Sequence, residues 1–170
     1  MSKKVIKIVL VGTHGVGKTG LANALAAAFI ARGISTYTIL ETARELARLE
    51  PNIVKINEET TLEAQSKILE YQFKLEKETA ELPYEVIICD RSFDNYVYME
   101  RKFGNQKEFE SMILRHLIEN PYTLIVKVPI TQNILRYDGI RSIDIEFQKD
   151  IDKRLDEFME KHKIKYIILP

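Results

Sequence analysis

Apolar and polar positions divide this chain into short apolar runs that alternate with longer stretches of helical spacing. Val5 to Val11 reads Val-Ile-Lys-Ile-Val-Leu-Val, an almost unbroken apolar run that predicts a buried strand of a parallel sheet. Leu21 to Ala31 is rich in alanine and leucine and predicts a helix, stopped near Arg32-Gly33 with Gly33 at its end. Ile34 to Leu40 is rich in β-formers and predicts a second strand. Thr42 to Glu50 has helical spacing up to Pro51, and Glu58 to Leu82 predicts a long helix ended by Pro83; Asn52 to Asn57 between them has no clear pattern. Tyr84 to Cys89 reads as the third strand. Tyr96 to Lys102 is a short helix broken at Gly104-Asn105, and Lys107 to Glu119 is another, closed by Asn120-Pro121. Thr123 to Val128 is the fourth strand, Asp144 to His162 the last helix, and Lys165 to Leu169 the fifth strand.

Strands alternating with helices imply an α/β fold with parallel pairing and right-handed crossovers. Phenylalanines at helical spacing (Phe73, Phe103, Phe109, Phe158) are expected in its core. A length of 170 residues suggests a single domain, 1–170, large enough for a proper core. Composition narrows the picture further. Lys plus Arg and Asp plus Glu are equal at 25 each, so no basic excess argues for nucleic acid as a partner. Cys89 is the only cysteine, which excludes an intrachain disulfide and fits a reducing cytoplasmic setting. Met-Ser-Lys-Lys runs straight into the first strand and leaves no room for a signal peptide, and no apolar run is long enough to span a bilayer.

Between the first strand and first helix stands Gly12-Thr13-His14-Gly15-Val16-Gly17-Lys18-Thr19, which fits G-x-x-x-x-G-K-[ST], the phosphate-binding P-loop. Its glycines let backbone N–H groups turn inward around a phosphate chain, and the helix N-terminus adds partial positive charge. Lys18 is expected to reach the β- and γ-phosphates, and Thr19 to ligate Mg²⁺ through its hydroxyl. A lone His14 has no metal-ligating partners nearby in sequence and is given no catalytic role.

In a parallel sheet, ligands sit beyond the carboxyl ends of the strands. Gly12, Glu41 and Asp90 all fall at or just past such ends. Asp90 follows Val86-Ile87-Ile88-Cys89, where a carboxylate can hold Mg²⁺ or accept a proton; the plainer reading is a strand-end aspartate capping the next turn. Glu41 is the other candidate base, or else a helix-start glutamate favoured by the macrodipole. Arg44, one turn on, either binds substrate or pairs with Glu41. Arg91 can grip transferring phosphate oxygens. Arg136 and Arg141 flank Gly139 in a polar stretch expected to form a lid around 136–143 whose arginines close over the γ-phosphate, with Arg136 alternatively against the nucleotide base; the plainer reading is a solvated loop. Gln65 and Gln72 share a helix face; they are expected as surface or core-edge residues, with a reach to a substrate base as the alternative.

Gly12 to Thr19, Glu41-x-x-Arg44, Asp90-Arg91-Ser92 and Asp138-Gly139-Ile140-Arg141 together resemble a group of small P-loop kinase-like domains of AAA type. That group includes ribosylnicotinamide kinase domains, and the Asp-Arg-Ser stretch is also similar to deoxynucleoside and thymidylate kinases. The resemblance implies a three-layer fold with a five-stranded parallel sheet of order 2-3-1-4-5, helices on both faces, and ATP- and Mg²⁺-dependent phosphoryl transfer to a small molecule. Gly20 departs from it, standing where these families carry a Ser or Thr whose hydroxyl contacts the α-phosphate. Many relatives also continue beyond the position of Pro170 into a base-binding loop, so GTP stays open beside ATP.

Several activities fit a P-loop. A GTPase switch wants an Asn/Thr-Lys-x-Asp motif and an Asp-x-x-Gly switch, and neither occurs. A ring-forming ATPase usually carries Glu beside its strand-end Asp, where this chain has Arg91. Both observations favour a kinase of a nucleoside, nucleotide or similar hydroxyl compound over an acceptor-free ATPase or interaction module. A nucleic-acid end kinase is disfavoured by the neutral charge balance.

Overall fold

In the computed structural model the described residues are 4–52, 60–131 and 144–170. The expected lid segment, with Arg136, Gly139 and Arg141, lies outside them. So does most of the stretch from Asn52 to Asn57. The elements follow the expected order: β1 (Ile6–Val11), α1 (Lys18–Ile30), β2 (Thr36–Ile39), α2 (Thr42–Leu49), α3 (Leu62–Ala80), β3 (Val86–Asp90), α4 (Tyr96–Phe103), α5 (Lys107–Glu119), β4 (Leu124–Lys127), α6 (Ile145–Lys161) and β5 (Ile167–Ile168). All pairings are parallel and the sheet order is β2-β3-β1-β4-β5, the order expected from the resemblance.

Several boundaries move for identifiable reasons. α1 starts at Lys18 rather than Leu21, because Gly17 adopts the left-handed conformation and turns the loop directly into a helix. α3 starts at Leu62 because the Thr61 side chain caps it, accepting from the Ala64 N–H at 3.1 Å. Asp144 caps α6 in the same way, accepting from the Glu146 and Phe147 N–H groups. β5 shrinks to Ile167–Ile168, an edge strand that pairs with β4 alone.

Alternation along the central strands divides the core into two layers. Ile8, Leu10, Val86 and Ile88 face α1, meeting Ala22 and Ala26. Val9, Val11, Ile87 and Cys89 face the other way, into a larger cluster with Phe73 of α3, Met99 of α4, Ile113 of α5, and Ile151 and Leu155 of α6. Of the four phenylalanines expected in the core, Phe73 and Phe158 are buried in this cluster and Phe103 and Phe109 pack against it. Helices therefore cover both faces, and the carboxyl ends of β1, β2 and β3 open together at one edge. Among the described residues, no helix is long and apolar enough to cross a membrane.

Candidate active site

The phosphate loop is held by contacts that only this backbone permits. Gly12 has φ +149°, and a Cβ built on it would lie 2.7 Å from the Val128 carbonyl oxygen, so the end of β1 passes too close to β4 for a side chain. Gly17 (φ +90°) caps α1 without any side-chain acceptor. The first-turn N–H groups of α1 have no carbonyl ahead of them in the helix, which is the arrangement that receives an anion. Lys18 is buried, and its Nζ donates to the Gly12 carbonyl at 2.8 Å and to that of Thr13. Val16 is buried under the loop among Leu10, Ala22 and Val128. Gly20 lies inside α1, and a Cβ there would meet nothing within 4 Å.

His14 does more in the loop than its sequence suggested. It is buried, its ring lies 5.1 Å from that of Phe147, and its Nδ1 and backbone N–H both meet the Tyr98 hydroxyl at 3.1 Å. Its carbonyl accepts from Gln148 Nε2 at 2.8 Å, which ties the loop to α6.

The expected convergence of acidic groups is present. The Thr19 hydroxyl lies 2.5 Å from Asp90 Oδ2 and 2.9 Å from Glu41 Oε1. One hydroxyl has one hydrogen, so it donates to one carboxylate at a time while its oxygen stays within reach of both. Glu41 and Arg91 are, with Lys163, the described non-glycine residues of positive φ, at +35° and +79°. Both therefore hold a costly backbone conformation, each at the carboxyl end of a strand beside the phosphate loop. Arg44 Nε pairs with Glu41 Oε2 at 2.5 Å, one of the two roles the sequence offered, and Arg44 also lines the cleft, where the other would be played.

Arg91 packs against Tyr98, whose ring centre is 5.1 Å from the guanidinium carbon and whose hydroxyl is 3.3 Å from Nη2. Burial works against its charge, but Tyr98, Asp94 and Asp90 outweigh it and hold the guanidinium firmly protonated. Asp94 is buried beside it and accepts from the Ser92 N–H at 2.7 Å and, at 3.4 Å, from the Gly12 N–H. Burial pushes its carboxyl above the usual range, against the pull of Arg91 and Lys18.

A cleft open to solvent runs over these groups, with Lys18, Thr19, Glu41, Arg44, Asp90 and Arg91 in its wall beside Gln65, Asn95 and Tyr98. Thr19, Glu41 and Asp90 offer the hard oxygen donors that suit Mg²⁺. No group of three or more His, Cys, Asp or Glu side chains suited to a metal occurs among the described residues, so phosphate and water oxygens would complete the ion's shell.

For the two glutamines the structure decides between the surface and core-edge positions that were expected. Gln65 and Gln72 are buried, not surface residues. Gln65 lines the cleft and donates to Thr60 Oγ1 at 2.7 Å, and Gln72 accepts from Thr42 Oγ1 at 2.6 Å. The signal was in the sequence: both lie on the apolar stripe of α3 with Leu69, as Gln148 lies on that of α6 with Ile151 and Leu155. Tyr98 and Asp94 carried no such signal, since only the tertiary fold brings them to the phosphate loop.

Among proteins with curated descriptions, none matches this sequence significantly. Solved structures do. A NadR protein in complex with NR superposes with a TM-score of 0.76 at 19% identity, over 98% of this chain and 46% of that one. A NadR protein in complex with NAD and AMP-PNP gives a TM-score of 0.69 at 17% identity, over 98% and 45%. The chain thus spans slightly under half the length of these proteins and shares their fold over that part. The family model described as an AAA domain matches residues 7–170. With its phosphate loop, its strand order and that match across nearly its whole length, the chain belongs to this family of AAA domains.

Proposed function

We propose that residues 1–170 form a single kinase domain that transfers the γ-phosphoryl group of ATP to a hydroxyl or phosphate of a small, nucleoside- or nucleotide-like molecule. The observation that carries this reading is the placement of two carboxylates, Glu41 and Asp90, on the hydroxyl of the phosphate-loop threonine. A hydrolytic switch needs only to orient water. A kinase must bind a second substrate and take the proton of its attacking hydroxyl. In this reading one carboxylate serves the metal while the other serves the acceptor. The bound NR of one structural neighbour and the AMP-PNP of another support a nucleotide paired with a small acceptor.

In this reading the loop from Gly12 to Gly20 cradles the phosphates, and Lys18 neutralises the β- and γ-oxygens. Thr19 and Asp90 hold Mg²⁺, which supplies charge stabilisation on the transferring group. Glu41, kept in place by Arg44, receives the acceptor's proton as its oxygen bonds to phosphorus and ADP departs. Arg91, fixed against Tyr98, faces the charge that spreads over the transferring oxygens. The roles of Arg141 on that charge and of Arg136 at the nucleotide rest on the sequence alone. The test is ADP release with a panel of nucleosides, nucleotides and vitamins, with Lys18→Ala as control. Turnover that needs an acceptor and vanishes in the control supports the reading. Equal turnover without any acceptor would make the domain an ATPase.

A further inference from the structure

The most heavily bonded polar group in the described core is not in the cleft. Glu76, on the inner side of α3, is 0% exposed. Its Oε2 lies 3.3 Å from Lys7 Nζ, 3.0 Å from His116 Nε2 and 2.7 Å from the Tyr122 hydroxyl. Its Oε1 accepts from Gln72 Nε2 at 2.9 Å and from the Ser92 hydroxyl at 2.5 Å. Two of these partners lead to the cleft. Ser92 directly follows Arg91 and is two residues from Asp90. Gln72 turns its other end to the Thr42 hydroxyl, 2.6 Å away, and Thr42 directly follows Glu41. One carboxylate therefore holds both chain segments that carry the acidic groups of the site.

Charge balance does not account for this arrangement. An ion pair buried as Lys7 and Glu76 are gains little over apolar packing of the same volume, because both ions lose their water. Apolar packing would supply no acceptor for the Ser92 hydroxyl or the Gln72 amide. Those two bonds matter because Glu41 and Asp90 must both stand within hydrogen-bond reach of one Thr19 hydroxyl, and Mg²⁺ tolerates little departure from its short octahedral bonds. We propose that Glu76 is a positioning residue, which fixes the mutual placement of Asp90 and Glu41 through Ser92 and through the Gln72–Thr42 link. The inference rests on the assignment of those two carboxylates to the metal and the acceptor. Glu76 touches neither, so it acts on where they stand.

The experiment is a Mg²⁺ titration of binding of a fluorescent ATP analogue to the full chain, for the wild type, Ser92→Ala, Glu76→Met and the double variant; methionine keeps the length of the side chain and offers no oxygen to Ser92 or Gln72. Both single variants are expected to need about ten-fold more Mg²⁺ for half-maximal binding, the usual scale for groups that orient a metal's ligands. The double variant should need no more than Glu76→Met, since both changes cut one chain of contacts. Affinity for the analogue at saturating Mg²⁺ should stay within about two-fold, because the phosphate loop is untouched. Folded variants with wild-type Mg²⁺ midpoints overturn the proposal. If Glu76→Met does not fold, Ser92→Ala and Thr42→Val decide it, since both leave Lys7 its partner. A wild type that binds analogue and Mg²⁺ yet phosphorylates no acceptor defeats the kinase reading and leaves this comparison standing. Wild-type binding indifferent to Mg²⁺ defeats both.

Discussion

The hydroxyl of Thr19, at the start of α1, lies 2.5 Å from Asp90 Oδ2, at the end of β3. Two neighbouring strands and a helix are needed to bring the pair together: β1 and β3 pair in register from Ile6 and Val86 to Leu10 and Asp90, so both reach the same edge of the sheet. In the proposed function the two share Mg²⁺. Asp90→Asn keeps the shape and a hydrogen-bond acceptor but loses the charge. We expect it to lower turnover by about two orders of magnitude or more. Thr19→Ala should raise the Mg²⁺ concentration needed for half-maximal rate. Steady-state rates over a Mg²⁺ series measure both, and near-normal rates in both variants would falsify the metal assignment.

Glu41 provides a sharper separation of function from stability. Its φ of +35° is unfavourable for any side chain, and glycine would adopt it freely. Glu41→Gly should relieve about 1 kcal/mol of backbone strain. It also removes the half-exposed pair with Arg44, worth a few tenths of that. The variant is expected to melt at the wild-type temperature or slightly above it, while losing about two orders of magnitude in turnover. Melting curves and initial rates on the same preparation test this. A variant that keeps its activity would show that the carboxylate has no part in the chemistry.

These two sites show what a sequence can and cannot reveal. The phosphate loop was legible because its glycines, Lys18 and Thr19 stand in a fixed local spacing with an apolar run before them. Asp90 and Glu41 were legible because each ends an apolar or β-rich run. The bounds of α5 were legible to the residue, closed as it is by Asn120-Pro121. Tyr98, Asp94 and Glu76 were not, since their roles depend on partners far away in the chain, at the phosphate loop for the first two and on β1, α5 and the turn before β4 for Glu76. The left-handed conformations of Glu41 and Arg91 were equally hidden, because no local preference asks for them; the surrounding fold imposes them. Gln65 and Gln72 lie between these cases: their places on an apolar stripe were visible, and the weight of polar residues on surfaces pointed the other way.

Gly20 allows a change in the opposite direction. It sits in the first turns of α1, a Cβ there meets nothing within 4 Å, and serine is the better helix former by about 0.5 kcal/mol. Gly20→Ser also places a hydroxyl beside the phosphate loop, where similar families carry one. The expected outcome is a small rise in melting temperature together with two- to five-fold tighter nucleotide binding, about the worth of one modest hydrogen bond. Calorimetric titration with a non-hydrolysable ATP analogue gives the second quantity. Unchanged or weaker binding would place the nucleotide away from the start of α1.

Acid sensitivity is expected to come from carboxylates far from the cleft, and Glu110 isolates the effect. It lies on α5, 8% exposed, and accepts from Lys161 Nζ at 2.6 Å and from Asn105 Nδ2 at 2.8 Å. Burial alone would raise its pKa, but the bonds from Lys161 and Asn105, with one from His162 at 2.5 Å, outweigh it and hold the carboxyl below its ordinary range. A carboxylate lowered on folding binds fewer protons in the native state than in the unfolded one. Its contribution is therefore complete above the unfolded value, about 4.3, and disappears as pH falls through the lower folded value. Glu110→Gln should cost about 1 to 2 kcal/mol at pH 7, the worth of a hydrogen bond to a charged group. The gap between wild type and variant should begin to close once pH falls below the unfolded value and should be gone below the lowered folded one. Urea unfolding of both proteins across that range measures the gap. A difference that stays constant with pH would mean that Glu110 joins α5 to α6 by shape rather than by charge.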